Sequence, residues 1–118
     1  MNKHLTQIAE DFSGHKFESI YEHLHADVEW NMVGGDVYKG RAEVVDACDE
    51  SANYLSTVKT TFHKFKSYLG GDSVVVDSLG EYVDEQNETS IVASCDIYEF
   101  QDGKVREIIS YAIELPQS

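Results

Sequence analysis

The chain has 118 residues, 42% of them hydrophobic and 26% charged, the balance of one soluble domain (1–118) able to bury its own core. A formal net charge of -13, with 9 Lys and Arg against 22 Asp and Glu, argues against nucleic acid and anionic membranes as partners. The opening residues hold no long apolar run, so neither an export signal nor a membrane span is expected. The two isolated cysteines, Cys48 and Cys95, fit reduced thiols in a cytoplasmic protein.

In chain order, Leu5, Ile8 and Phe12 recur at helical spacing, and Gly14 ends that helix. Phe17, Ile20, Tyr21 and Leu24 predict a second short helix, and Val28 to Val33 a first strand closed by Gly34-Gly35-Asp36. Gly40 precedes a third helix whose apolar face is Val44, Val45, Cys48, Ala52 and Leu55. After Val58 come four long strands, about 59–69, 73–84, 89–101 and 104–115. Gly70-Gly71-Asp72, the polar run Asp84 to Glu88, and Asp102-Gly103 are the turns between them. Helices first and a meander of antiparallel strands after is an α+β layout, in which the sheet curls round the helices and leaves a cavity.

One residue is out of place in that meander. Asp96 stands mid-strand between Cys95 and Ile97, where a carboxylate is costly unless it is bonded or put to use. Alternation puts Ser94, Tyr98 and Phe100 on the same face. Two readings stay open: a functional acid in a cavity, or a structural acid bonded to Tyr or Ser hydroxyls. Trp30 reads as a cavity wall. The face of His63 is open, because Phe62 and Phe65 claim opposite sides of its strand, and a surface histidine is the plainer reading. His23-Leu24-His25 has no third ligand at metal spacing, and positions two apart do not share a helix face, so no metal is expected. Gly34-Gly35 and Gly70-Gly71 lack the strand–glycine–helix context of a nucleotide loop; no cofactor is expected.

Four landmarks occur in order across most of the chain: Ala26-Asp27-Val28-Glu29-Trp30, Gly40 opening a helix, Gly71-Asp72-Ser73-Val74-Val75-Val76, and Tyr98-Glu99-Phe100-Gln101-Asp102-Gly103-Lys104-Val105. Together they resemble the nuclear transport factor 2-like superfamily, within it the SnoaL-like and ketosteroid isomerase-like proteins. The resemblance implies a cone-shaped, cystatin-like fold, with the N-terminal helices packed in the concave face of a curved, mostly antiparallel sheet. It implies no single activity, since the superfamily hosts isomerases, cyclases, dehydratases, epoxide hydrolases and non-catalytic binders.

Aligned on the last hairpin, Asp96 falls on the oxyanion-hole acid of the isomerase. The general-base position falls at Trp30 or Asn31 and the tyrosine position near Leu5 or Thr6, and none of these can serve. The family register turns Val75, Asp77, Leu79 and Glu81 into the cavity from one strand, and Ile108, Ser110 and Ala112 from the last. The expected site therefore has Asp96 and Asp77 as catalytic acids, with Trp30, Tyr98, Glu81, Phe100 and Ser110 around an apolar small molecule. In that register the opposite face carries Val74, Val76 and Tyr82, then Ile91, Ile97, Ile109 and Tyr111. A sheet apolar on both faces predicts a homodimer packed through its outer face, as the resemblance also implies. Three functions compete: acid-base isomerase, cyclase or lyase-type chemistry on an apolar carbonyl compound; non-catalytic binding of a small molecule; and a dimeric interaction module.

Overall fold

The change from helical to strand periodicity near residue 59 divides the fold into a cap and a long sheet. The computed structural model describes residues 4–116. Its elements are helix α1 (Leu5–Ser13), a 3-10 helix (Phe17–His23), strands β1 (Leu24–Met32) and β2 (Val37–Lys39), helix α2 (Arg41–Leu55), and strands β3 (Lys59–Gly70), β4 (Ser73–Val83), β5 (Thr89–Gln101) and β6 (Lys104–Leu115). The strands form one sheet in the order β2-β1-β6-β5-β4-β3. All neighbours are antiparallel except β1 and β6, which run parallel.

The sheet curves because its ladders slip between Leu24 and Glu29, between Phe62 and Lys64, and between Glu99 and Phe100. Ile8 and Phe12 of α1 and Val44 and Cys48 of α2 fill the concave side against Val28, Val76, Tyr98 and Ile108. Burial pushes the Cys48 thiol up to about 12, so it is inert packing. Among the described residues no helix is long and apolar enough to cross a membrane.

Several local expectations change. The second helix is 3-10, with no side-chain cap at Lys16, and Leu24 already belongs to β1. Strand β2 pairs Tyr38 with Trp30 and is too short for alternation to reveal it. Helix α2 buries Ala47 and leaves Ala52 exposed.

The larger correction lies in β4. Its ladder sets Val76 opposite Asp96 and Asp77 opposite Cys95. Directly opposed residues share a face, so Val74, Val76, Ser78 and Tyr82 point inward. Asp77 and Glu81 point to the convex side, against the expectation that they line the cavity. There the Lys64 ammonium lies 2.8 Å from Asp77 and His63 lies 2.6 Å from Glu81. The bulge at His63 also settles β3: Phe62 and Phe65 both face inward, ring centroids 5.1 Å apart, and His63 turns out.

Candidate functional site

The concave face holds a cavity of about 420 Å³ between the sheet and the two helices. Phe12, Phe17 and Trp30 form apolar walls, Tyr54 and Leu55 of α2 stand at its rim, and Ser94, Asp96, Ser110 and Ala112 line its sheet side. An apolar body with few convergent polar groups is the composition of a small-molecule site. Among the described residues, no Lys or Arg side chain lines it; besides Asp96, its titratable groups are His15, Glu50 and Tyr54.

Asp96 is half-buried, and two hydroxyl chains end on it. The Tyr98 hydroxyl lies 2.6 Å from Ser13 Oγ, and Ser13 donates to Asp96 Oδ2 at 2.8 Å. Tyr98 is fully buried and has no other acceptor among the described residues, so it donates to Ser13. On the other side, Trp30 Nε1 donates to Ser110 Oγ at 2.9 Å, and Ser110 is hydrogen-bonded to Asp96. Indole nitrogen can only donate, so Ser110 directs its proton to the carboxyl. Desolvation raises the Asp96 carboxyl above its ordinary 3.8, opposed by the Ser110 and Ser13 bonds that favour its charged form. Desolvation likewise holds the Tyr98 hydroxyl well above 10.

Of the site residues expected from sequence, the fold gathers Asp96, Ser110, Trp30 and Tyr98 at one place. Tyr98 lies beneath the cavity lining, where it feeds Ser13. Phe100 lies in the core, further along β5, and is 8% exposed. Asp77 and Glu81 are excluded by the β4 register.

Sequence reasoning missed Ser13 and His15, both at the C-terminal end of α1. Lys16 N–H bonds to the Asp11 carbonyl and His15 N–H to the Phe12 carbonyl, the paired closure of a helix by a left-handed residue. Glycine normally takes that seat. Here Gly14 has φ −85° and His15 has φ 70°. A left-handed non-glycine costs about 1–2 kcal/mol, so the ring is held where it is against the backbone's preference. His15 Nε2 lies 3.1 Å from the Tyr82 hydroxyl, and its ring packs beside Phe17 and Phe62. Burial lowers its pKa below the ordinary 6.5, keeping it neutral. Tyr82 reaches it by folding back across Gly80: a Cβ there would meet the Tyr82 hydroxyl oxygen at 2.9 Å. The sequence signal available was a histidine directly after a helix-stopping glycine, which by itself specifies nothing.

His23 and His25 are engaged locally: His23 sits 3.8 Å from Glu22, and His25 Nδ1 accepts from the Asp27 N–H.

Known proteins agree with this architecture. A nuclear transport factor 2-like protein of unknown function from Cytophaga hutchinsonii ATCC 33406 is 29% identical, with a TM-score of 0.81 over 91% of this chain and 94% of its own. A ketosteroid isomerase-like protein from Catenulispora acidiphila DSM 44928, solved in complex with trimethylamine, superposes with a TM-score of 0.70. It is 14% identical over 94% of this chain and 86% of that one. An LEH-like epoxide hydrolase from M. tuberculosis gives a TM-score of 0.66 at 15% identity, over 92% of this chain and 82% of its own. At such identities the last two show the fold alone. No curated protein is similar enough in sequence to count as a relative. Residues 5–108 match the family model of the SnoaL-like domain, and the chain belongs to that family.

Proposed function

We propose that this protein is an acid-base enzyme acting on an apolar small molecule that carries a carbonyl, by isomerase, cyclase or lyase-type chemistry. One observation carries the reading. Every hydroxyl bonded to Asp96 directs its own proton toward the carboxyl, so a proton held by Asp96 has the cavity as its outlet. A neutral carboxylic acid placed in this way stabilises an oxygen that gains negative charge. The Catenulispora fold relative, solved with trimethylamine, supports small-molecule binding in this kind of scaffold.

The test needs no knowledge of the natural substrate. In D₂O, exchange of the protons next to the carbonyl of an apolar ketone such as 2-tetralone is followed by NMR. Wild type accelerates exchange over buffer, and Asp96→Asn loses most of that acceleration. Binding without exchange supports the rival reading, a non-catalytic binder, which is favoured because, among the described residues, the sheet side of the cavity carries no second carboxylate.

The same reading includes a cytoplasmic homodimer. Tyr111 and Ile113 are 46% and 64% exposed on the convex face, next to half-buried Ile91, Ile97 and Ile109. Covering this patch with a second copy removes it from water. A monomeric mass by light scattering at micromolar concentration overturns the dimer.

A further inference from the structure

We propose that His15 is the base of this cavity, taking a proton from the bound molecule at Nδ1 and exchanging it with solvent. It rests on the reading of Asp96 as a proton donor to a carbonyl, and supplies the second group that such chemistry requires.

Three independent observations carry it. The backbone of His15 holds a left-handed conformation although a glycine, Gly14, stands one residue earlier and takes an ordinary one. A strained seat given to a functional side chain, with the permissive residue beside it, marks a site where ring placement outranks backbone preference. Second, the ring is aimed by a dedicated partner. Tyr82 lies across the notch left by Gly80, and its hydroxyl meets Nε2 at 3.1 Å, while Nδ1 has no hydrogen-bond partner among the described residues. Third, His15 and Phe17 line both the inner cavity and a separate outer groove of about 530 Å³. The imidazole therefore stands in the partition between ligand and solvent.

The titratable and charged groups around it are Tyr82 from β4, Asp96 from β5, Asp49, Glu50 and Tyr54 from α2, Tyr21 from the 3-10 helix, and its chain neighbours Lys16 and Glu18. Phe62 from β3 adds none. The only basic side chain among these, Lys16, belongs to the outer groove and not to the cavity.

The step balances without a further reactant. In the tautomer that donates Nε2–H to the Tyr82 oxygen, Nδ1 keeps its lone pair. The bond between hydrogen and the carbon next to the carbonyl breaks, and Nδ1–H forms. The released pair makes the enol double bond, and the carbonyl π pair moves to oxygen, which receives the Asp96 proton. Reprotonation at carbon runs the same transfers backwards. Between the two, imidazolium exchanges its Nδ1 proton with solvent, while Nε2 keeps its proton on the Tyr82 oxygen.

The same 2-tetralone exchange in D₂O tests this, with ketone binding followed separately by Trp30 fluorescence. His15→Asn suits the seat, because asparagine tolerates left-handed backbone. It is expected to bind the ketone within threefold of wild type and to lose about 100-fold in catalysed exchange. Tyr82→Phe removes the aiming hydroxyl and is expected to lose about tenfold, with KM little changed. Nitrogen NMR of wild type should show the proton on Nε2. Wild-type exchange rates in His15→Asn, or the proton on Nδ1, overturn the role of His15 and leave that of Asp96 standing. If wild type itself fails to bind or exchange the ketone, the reading of Asp96 falls, and the base falls with it.

Discussion

Asp77 and Asp96 stand on neighbouring strands, one residue out of step, and their surroundings are opposites. Asp77 faces the convex side with an ammonium 2.8 Å away, and its side chain is 37% exposed. Asp96 faces the concave side, half-buried, with serine hydroxyls and, among the described residues, no cation beside it. The same side chain is paired with an ammonium on one face and bonded to neutral hydroxyls on the other. Counter-charge separates them: burial raises the Asp96 carboxyl with no cation beside it, opposed only by the Ser13 and Ser110 hydroxyls.

The largest expected effect sharpens that contrast. Asp96→Asn should lower 2-tetralone exchange by about 100-fold or more, while Asp77→Asn stays within about twofold of wild type, as donor-removal experiments generally scale. Comparable losses from both would mean that the two faces do not differ in chemistry. Next comes stability. Asp96→Ala opens a void and leaves the Ser13 and Ser110 hydroxyls without their acceptor, costing about 1–3 kcal/mol in denaturant melts. Asp77→Ala should fall within the scatter of the same melts.

The smallest effect is a pH dependence. Since burial raises the Asp96 carboxyl above 3.8, the folded state keeps that proton to higher pH than the unfolded chain. Stability from this group is fullest below 3.8 and declines as pH rises through the raised value. Asp96→Asn has no proton to lose, so its stability relative to wild type should be greater at pH 7 than at pH 4. His15 runs the other way. Its lowered pKa contributes stability above 6.5 that is lost as pH falls. A wild-type advantage over Asp96→Asn that widens from pH 4 to pH 7 would assign Asp96 an ionised, paired state and collapse the contrast with Asp77.

The two hairpin-rich strands show why some of this was legible. Asp96 is polar in an apolar strand, so it sets the phase of β5, and Ser110 and Ala112 on β6 follow from the pairing. Val74-Val75-Val76 is apolar at either phase, so the inward face of β4 is decided only by the ladder that sets Val76 against Asp96. At His63 an inserted residue shifts the ladder, and no local pattern marks a bulge of that kind. Ser13 and His15 reach the site through a helix end that closes one residue later than Gly14 suggests. Each missed position depends on a long-range pairing or a backbone seat rather than on side-chain periodicity.

The parallel pairing of β1 with β6 carries a consequence for how the protein is made. Strand β6, the last of the six in sequence order, lies inside the sheet between β1 and β5, not at its edge. Trp30 therefore waits for Ser110, 80 residues later, before its indole N–H finds an acceptor. During synthesis the helices and β1 emerge with their apolar faces uncovered until the closing strand leaves the ribosome. Such long-range closure slows folding and prolongs exposure to aggregation, so yields should respond to chaperone supply and to truncation of the last strand more than to changes in the cap.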